Sequence, residues 1–302
     1  MNAVPTPSLG TVSARVVPAS RSTAAIAVAV VALALAWLYS SVMPPLVRQW
    51  ATDGDYSHGF FVAPLALFFA WERRDALARA PRRPHAIGLV ILAGSLVCYV
   101  AGQFGSELFL TRVSLVGAIG GLVLYVAGTA HLRLLAFPIA FLLLMIPLPA
   151  IVFNRIAFPL QLVASRIGEV VIAASGIPVF REGNVLQLPG RTLEVAQACS
   201  GIRSLMSLVM LAVVLGYFTE RRTSSRILIV LAAVPIAVVA NAARVAGTGL
   251  ASYWISPAAA EGFFHTFSGW VVFVVALVAL VAFHRTLEFA RLRWARPVEV
   301  RC

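Results

Sequence analysis

Three residues of different chemistry lie at the ends of long apolar segments in the second half of the chain. Cys199 precedes the apolar run Leu205 to Phe218, Arg244 ends the next run, and His265 begins the last one. A thiolate can attack a carbonyl, an imidazole can take the thiol proton, and a guanidinium can bind the developing oxyanion. These side chains can cooperate in acyl transfer only if the three segment ends lie on the same side of one membrane.

Each of these residues also has an ordinary structural explanation. A single membrane cysteine is often a small packing residue, and an arginine at a helix end often extends to the lipid headgroups. An interfacial histidine is often an anchor. The functional interpretation depends on the combination, because ionisable residues that meet at one cavity of a membrane protein favour function.

The composition indicates a membrane protein with many spans. The 302 residues are 60% hydrophobic and 12% charged, with a mean hydropathy of +0.90, whereas a soluble domain is about 25% charged. The net charge of +12 comes from arginine, since the chain has no lysine. The arginines lie in short loops between apolar runs, which is typical of topology signals. We therefore expect the lipid bilayer, and no nucleic acid, as a partner.

The apolar runs predict an all-α polytopic fold with eight membrane segments. Residues 1–23 are polar and are predicted to be a disordered tail. Residues 24–283 are predicted to form the transmembrane domain, and residues 284–302 a basic tail. The predicted segments are Ala24–Met43, Gly59–Trp71, Ile87–Gln103, Leu108–Thr129, Leu132–Ile146, Ser200–Phe218, Ile227–Ala246 and Thr266–Phe283.

The distribution of arginine predicts the orientation of these segments. Alternate loops are basic, and basic loops stay in the cytoplasm. We therefore expect both termini to be cytoplasmic, with Cys199, Arg244 and His265 together on the outer face. The basic loops and tails contain Arg15 and Arg21; Arg73, Arg74, Arg79, Arg82 and Arg83; Arg133; Arg221, Arg222 and Arg226; and Arg285, Arg291, Arg293, Arg296 and Arg301. The intervening loops contain Arg48 with Asp53 and Asp55, then Glu107, and then Glu261.

One outer loop, residues 147–199, is long enough to have structure of its own. Its first half, Ile151 to Ala174, is apolar with interspersed polar residues, which predicts an amphipathic helix on or in the outer interface. Its second half has short β-prone runs with turn residues at Glu182-Gly183-Asn184 and Pro189-Gly190. This pattern predicts a small β-hairpin that leads into Cys199.

The motifs resemble those of the exosortase/archaeosortase family. The resemblance is carried by Ala198-Cys199-Ser200-Gly201-Ile202-Arg203-Ser204, by Asn241-Ala242-Ala243-Arg244, by His265, and by Tyr56-Ser57-His58-Gly59-Phe60. It extends roughly from Thr52 to Phe283. It implies a thiol protease or transpeptidase of the bacterial inner membrane, in which Cys199, Arg244 and His265 form a sortase-like active site.

The resemblance also implies a substrate class. The substrates would be exported proteins with a C-terminal sorting signal of the PEP-CTERM type, which consists of a Pro-Glu-Pro-type motif, an apolar helix and an Arg-rich tail. Cleavage at the periplasmic face would proceed through a thioester acyl-enzyme, with transfer to an amine or to water, and would be linked to exopolysaccharide production. We expect no cofactor and no metal ion, since the chain has an odd number of cysteines and no CxxC motif.

Three further residues are expected to support the site or bind substrate. Asn241 lies one helical turn before Arg244 and could orient Arg244 or His265. Arg203, four residues after Cys199 and so expected on the same helix face, could support the thiolate or recognise an acidic substrate residue. His58 is expected to be a structural or substrate-channel residue.

A non-enzymatic function remains open as an alternative. A multi-pass transporter or an assembly component for polysaccharide export would also need many apolar helices, and Pro138, Pro159 and Pro235 could interrupt three of them. The absence of ionisable residues from the middle of the segments argues against a transport pathway.

Overall fold

The structure, a computed structural model, describes residues 21–195, 201–256 and 262–294. The chain divides into residues 1–43, which include α1, and residues 44–302, which include the candidate site. The helices are α1 (Arg21–Leu38), α2 (Met43–Thr52), α3 (Gly59–Glu72), α4 (Arg74–Arg79), α5 (Ile87–Phe104), α6 (Leu108–Ala127), α7 (Thr129–Phe141), α8 (Ala150–Ala174), α9 (Ile202–Thr219), α10 (Thr223–Trp254) and α11 (Gly262–Trp294); short 3-10 helices lie at Tyr39–Ser41, Gly54–Tyr56 and Leu142–Met145, and the strands are β1 (Phe180–Glu182), β2 (Val185–Leu188) and β3 (Arg191–Glu194).

The predicted all-α polytopic fold is confirmed, with a smaller number of long helices than expected. Among the described residues, six helices are long and apolar enough to cross a membrane: α5, α6, α8, α9, α10 and most of α11. The number rises to seven if the broken pair Val28–Ser41 and Met43–Thr52 is one span. The prediction of eight included α3 and α7, which have 14 and 13 residues. Such helices are about 20 Å long, shorter than the hydrocarbon layer of about 30 Å.

Helix α8 was expected to lie on or dip into the outer interface, and it is long and apolar enough to cross a membrane. It has 25 residues and runs alongside α10 in the same direction. Gly168 packs against Val245, where a Cβ on the glycine would lie 2.7 Å from Cγ1, and Ile172 packs against Gly249. With 32 residues, α10 is about 48 Å long and exceeds the hydrocarbon layer. Because both contacts involve residues after Arg244, α8 packs along the second half of α10.

A three-stranded antiparallel sheet follows α8, where the sequence predicts a hairpin. The strand order is β1-β2-β3, and the turns fall at the two predicted positions. Gly183 and Gly190 have φ of 62° and 74°, a conformation that glycine adopts without steric penalty. The sheet is fixed to α8 by an ion pair of 2.8 Å between Arg181 and Glu169. The buried residues Leu186, Leu188 and Leu193 of the sheet, together with Val195 just after it, form one core with Ala164, Ile172, Ile177, Ala242 and Val245.

The helices pack closely through small residues, as is usual in membranes. A Cβ on Gly121 of α6 would lie 2.7 Å from the backbone nitrogen of Leu92 in α5, so these two helices touch through their backbones. At the end of α9, the buried Glu220 accepts a hydrogen bond of 2.7 Å from Arg291 of α11. This contact ties the far end of α11 to α9, opposite the end that carries His265.

Candidate active site

The chain enters α9 through a left-handed glycine that presses against α10. Gly201 caps α9 with φ of 67°. The Asn241 amide occupies the space where a side chain would be, because a Cβ on Gly201 would lie 2.7 Å from Asn241 Cγ. Cys199 is two residues before this contact in the sequence and lies outside the described residues. The contact fixes the position of Gly201.

Arg244 extends from α10 to α11. Its side chain is half-buried, and its guanidinium lies against the backbone of Gly269: a Cβ on that glycine would be 2.9 Å from Nη2 and 3.0 Å from Cζ. Any larger residue at position 269 would occupy the place of the guanidinium. The fold therefore determines the position of this cation.

His265 lies in the first turn of α11, one helical turn before Gly269. Residues four apart lie on the same face of a helix, so position 265 shares a face with the glycine that Arg244 touches. The imidazole itself lies outside the described side chains.

Helix α10 contacts both the start of α9 and the first part of α11. Asn241 and Arg244 are one turn apart on this helix; the first contacts the entry to α9 and the second contacts α11. The structure thus places Gly201, at the start of α9, and Gly269, one turn after position 265, against adjacent turns of one helix.

Arg203 contacts a different partner from the one the sequence suggests. Helix α9 begins at Ile202, after the left-handed Gly201, so the expected shared helix face with Cys199 does not apply. The Arg203 guanidinium covers Gly54, which has no room for a Cβ, and its Nε lies 3.5 Å from Asp55 Oδ1. The side chain is 64% exposed, so the ion pair contributes little stability. It links the 3-10 helix Gly54–Tyr56 to α9.

Asp55 is unusually easy to protonate for an aspartate. Burial raises the pKa of its carboxyl group, the nearby Asp53 raises that pKa further, and Arg203 opposes both effects. Asp53 also accepts a hydrogen bond of 3.0 Å from the Asp55 backbone nitrogen. The charge on Asp55 therefore depends on its contact with Arg203.

His58 is a buried residue that connects the start of α3 to the 3-10 helix Leu142–Met145. Its Nε2 lies 3.1 Å from the Leu144 carbonyl oxygen, which can only accept, so Nε2 carries the proton. Nδ1 is buried and makes no hydrogen bond of good geometry in the described structure. The Asp55 backbone is near enough to the ring to raise the pKa of His58 slightly. Burial dominates and lowers the pKa of His58. This neutral imidazole holds the local fold.

A cavity of about 420 Å³ lies beside this group of residues. Its wall combines three carboxyl groups, the Tyr56 and Phe153 rings, a proline-rich turn and the buried Arg112. Arg112 belongs to none of the motifs above, although a charged residue inside an apolar run is a signal of function in a membrane protein. The contacts of Gly54, Asp55 and Gly269 depend on helix packing and leave no pattern in the sequence.

Comparison with protein families was informative over most of the chain. Residues 50–282 match the profile of the transmembrane exosortases. This range begins in α2, extends into α11, and contains Cys199, Arg244 and His265. No match was found among curated proteins or solved structures.

Proposed function

The chain belongs to the transmembrane exosortase family, whose members are in general membrane cysteine transpeptidases, and we propose that it cleaves C-terminal sorting signals of exported proteins at the periplasmic face. The observation that carries the proposal is the placement of Asn241 and Arg244 on adjacent turns of α10, against Gly201 and Gly269. Acyl transfer needs a cation and hydrogen-bond donors held in place before the reaction. A guanidinium and an amide packed against these glycines are groups of that kind, which supports the proposal.

In the proposed mechanism, Cys199 is the nucleophile. His265 takes the thiol proton, and the thiolate attacks the carbonyl carbon of the scissile peptide bond. Arg244 binds the oxyanion of the tetrahedral intermediate; it cannot be the base, because a guanidinium stays protonated. The intermediate collapses when the peptide C–N bond breaks and the imidazolium gives its proton to the leaving amine. A thioester remains on Cys199.

The second half of the reaction releases the thioester. An amine or a water molecule attacks the thioester carbonyl, His265 accepts the proton of the attacking group, and the Cys199 thiolate leaves. An amine gives a transpeptidation product, and water gives hydrolysis. Both products need the same three residues, so the proposal does not depend on the acceptor.

The sheet before Cys199 suits an extended substrate segment. Strand β3 ends the sheet on one side, and an exposed strand edge can accept an extended peptide as an additional strand. Since β3 leads toward Cys199 within a few residues, a segment paired with it would be delivered to the thiol. In the proposed orientation, the Arg-rich tail of the substrate stays in the cytoplasm.

Replacement of Cys199 tests the nucleophile directly. Cys199→Ala should abolish processing of a substrate with a PEP-CTERM-type signal, because no other nearby group is expected to form the acyl bond. Cys199→Ser should be nearly inactive. Cys98→Ala, which changes a cysteine inside α5, is the matched control and should process normally. Mass spectrometry should detect a thioester on Cys199 in the unmodified enzyme. Full processing by Cys199→Ala would exclude the enzymatic function and leave the transport or assembly hypothesis.

The alternative, a transporter or assembly component, was supported in part by prolines that could interrupt helices, and the structure does not show such interruptions at these prolines. Pro159 and Pro235 were expected to break helices, as in transporters, but both lie inside continuous helices, α8 and α10. Pro138 also lies within α7.

A further inference from the structure

Arg112 is a buried cation without an anionic partner in the described structure. It lies in the second turn of α6 and is 4% exposed. Its Nη1 donates a hydrogen bond of 2.8 Å to the neutral Gln49 Oε1, and no described carboxylate lies within 4.0 Å of it. A buried guanidinium loses its hydration, and a single amide oxygen does not compensate for that loss. Such a group is suited to an anionic ligand.

The cavity next to Arg112 offers room for such a ligand. It has a volume of about 420 Å³, and Arg112 is part of its lining. A guanidinium has five N–H donors in a planar fork that matches a carboxylate. The bond to Gln49 uses one of these donors.

The acidic residues of the cavity are already engaged with other groups. Asp53 accepts a hydrogen bond from the Asp55 backbone nitrogen, and Glu107 accepts one of 3.0 Å from the Phe109 backbone nitrogen. Asp55 is paired with Arg203. These carboxylates still repel a freely diffusing anion. A carboxylate on a peptide that is already held by other contacts has a high effective concentration at Arg112, which offsets this repulsion. The charge arrangement therefore favours a tethered anion over a free one.

The shape and location of the cavity also fit a peptide. One wall is the segment Pro147–Pro149, which lies between two helical segments. Another is the pair of rings Tyr56 and Phe153, whose centroids are 6.1 Å apart. Through Asp55, the cavity is connected to Arg203 in the first turn of α9. A peptide in this cavity would thus lie next to the helix that follows Cys199.

We propose that Arg112 binds the carboxylate of an acidic side chain in the substrate's sorting signal, close in sequence to the scissile bond. This inference rests on the proposed function and adds a specificity-determining residue to it. We assign Arg112 to recognition and not to the chemical step, because the described structure gives it a hydrogen bond to Gln49 and a place in the cavity wall.

The test is a double-mutant cycle with the full-length enzyme in proteoliposomes. The two substrates carry the same signal with either a single glutamate next to the cleavage site or the isosteric glutamine, and kcat/KM is measured for each. The unmodified enzyme should prefer the glutamate substrate by about 10- to 100-fold, the range expected for a charge-assisted hydrogen bond. Arg112→Gln should lose this preference and cleave both substrates equally. Arg155→Gln, which changes an exposed arginine of α8, should keep it.

Each other outcome has a definite meaning. Equal cleavage of both substrates by the unmodified enzyme overturns the role of Arg112 even if Arg112→Gln fails to fold, while the proposed function stands. An equal loss on both substrates in Arg112→Gln shows a structural role. A loss that depends on the anionic lipid content shows that a headgroup occupies the site. Absence of cleavage of either substrate by the unmodified enzyme contradicts the proposed function itself.

Discussion

The absence of a side chain at Gly269 gives the Arg244 guanidinium its place beside α11. A Cβ there would lie 2.9 Å from Nη2, the far end of a flexible side chain, so Gly269→Ala should move the guanidinium without unfolding the protein. A displacement of about 1 Å in a catalytic group can lower activity about 100-fold. We expect a loss of that size in substrate processing. Gly247→Ala is the matched control, since a Cβ on Gly247 would meet no atom within 4 Å.

The geometry of Arg244, and not its charge alone, should determine its contribution. Arg244→Lys keeps the charge but loses the planar fork of donors, so processing should fall about 100-fold or more, as when one oxyanion donor is removed. His265→Ala should reduce processing by about 10²- to 10⁴-fold if His265 is the general base. Initial rates of substrate cleavage measure both. Normal rates in Arg244→Ala and His265→Ala, with inactive Cys199→Ala, would show that the three-residue site is wrong.

Asp55 should give the protein a distinctive dependence of stability on pH. Burial raises the pKa of Asp55 above its ordinary value of 3.8, so the folded state binds this proton more tightly than the unfolded state does. By linkage, this contribution to stability is complete below the ordinary pKa and is lost as pH rises through the folded-state pKa. Asp55→Asn should remove it, and Asp75→Asn, which changes an exposed aspartate of α4, should not. Thermal unfolding in detergent between about pH 3 and pH 7 measures the difference. A pH profile of Asp55→Asn identical to that of the unmodified protein would contradict the burial effect.

At the scale of elements, the start of α9 depends on Gly201. An L-residue at φ of 67° costs about 1–2 kcal/mol, and a Cβ would also overlap the Asn241 amide. Gly201→Ala should therefore lower both the unfolding temperature and the processing rate. Gly176→Ala has a similar φ of 80° but no neighbour within 4 Å, so it isolates the conformational strain. A larger effect at Gly176 than at Gly201 would contradict a specific role for the contact with Asn241.

Apolar runs in the sequence predict long helices well and contacts between helices poorly. The bounds of α5, α6 and α9 lie within a few residues of the predicted segments, because their hydrophobic runs end at polar or glycine residues. Helix α8 was predicted from composition, but its direction along α10 depends on packing at Gly168 and Gly249. The same limit applies to the site. Motifs identified Arg244 and Asn241, whereas the facing glycines and the buried Arg112 become recognisable only when the helices are assembled.

At the scale of the whole molecule, the ion pair of Glu220 and the proposed site lie at opposite ends of the same two helices. Helix α11 carries His265 in its first turn and Arg291, which binds the buried Glu220, near its last turn. Helix α9 likewise follows its N-cap Gly201 and is capped at its other end by the same Glu220. The ion pair therefore fixes one end of both helices and leaves the other end for the site.

The orientation of this molecule in the membrane is the remaining prediction. Arginine-rich loops stay in the cytoplasm, so the loop after α4 should be inside and the loop between α5 and α6 outside, on the side of Cys199. In a background without native cysteines, Ser106→Cys and Ala86→Cys place a thiol at an exposed position at either end of α5. An impermeant thiol reagent added to intact cells should label Ser106→Cys, whereas Ala86→Cys should react only after the membrane is permeabilised. Because the two positions flank a single spanning helix, labelling of Ala86→Cys alone in intact cells would invert the topology. The cavity of Arg112 and the start of α9 would then face the cytoplasm, which is incompatible with processing of exported proteins at the periplasmic face.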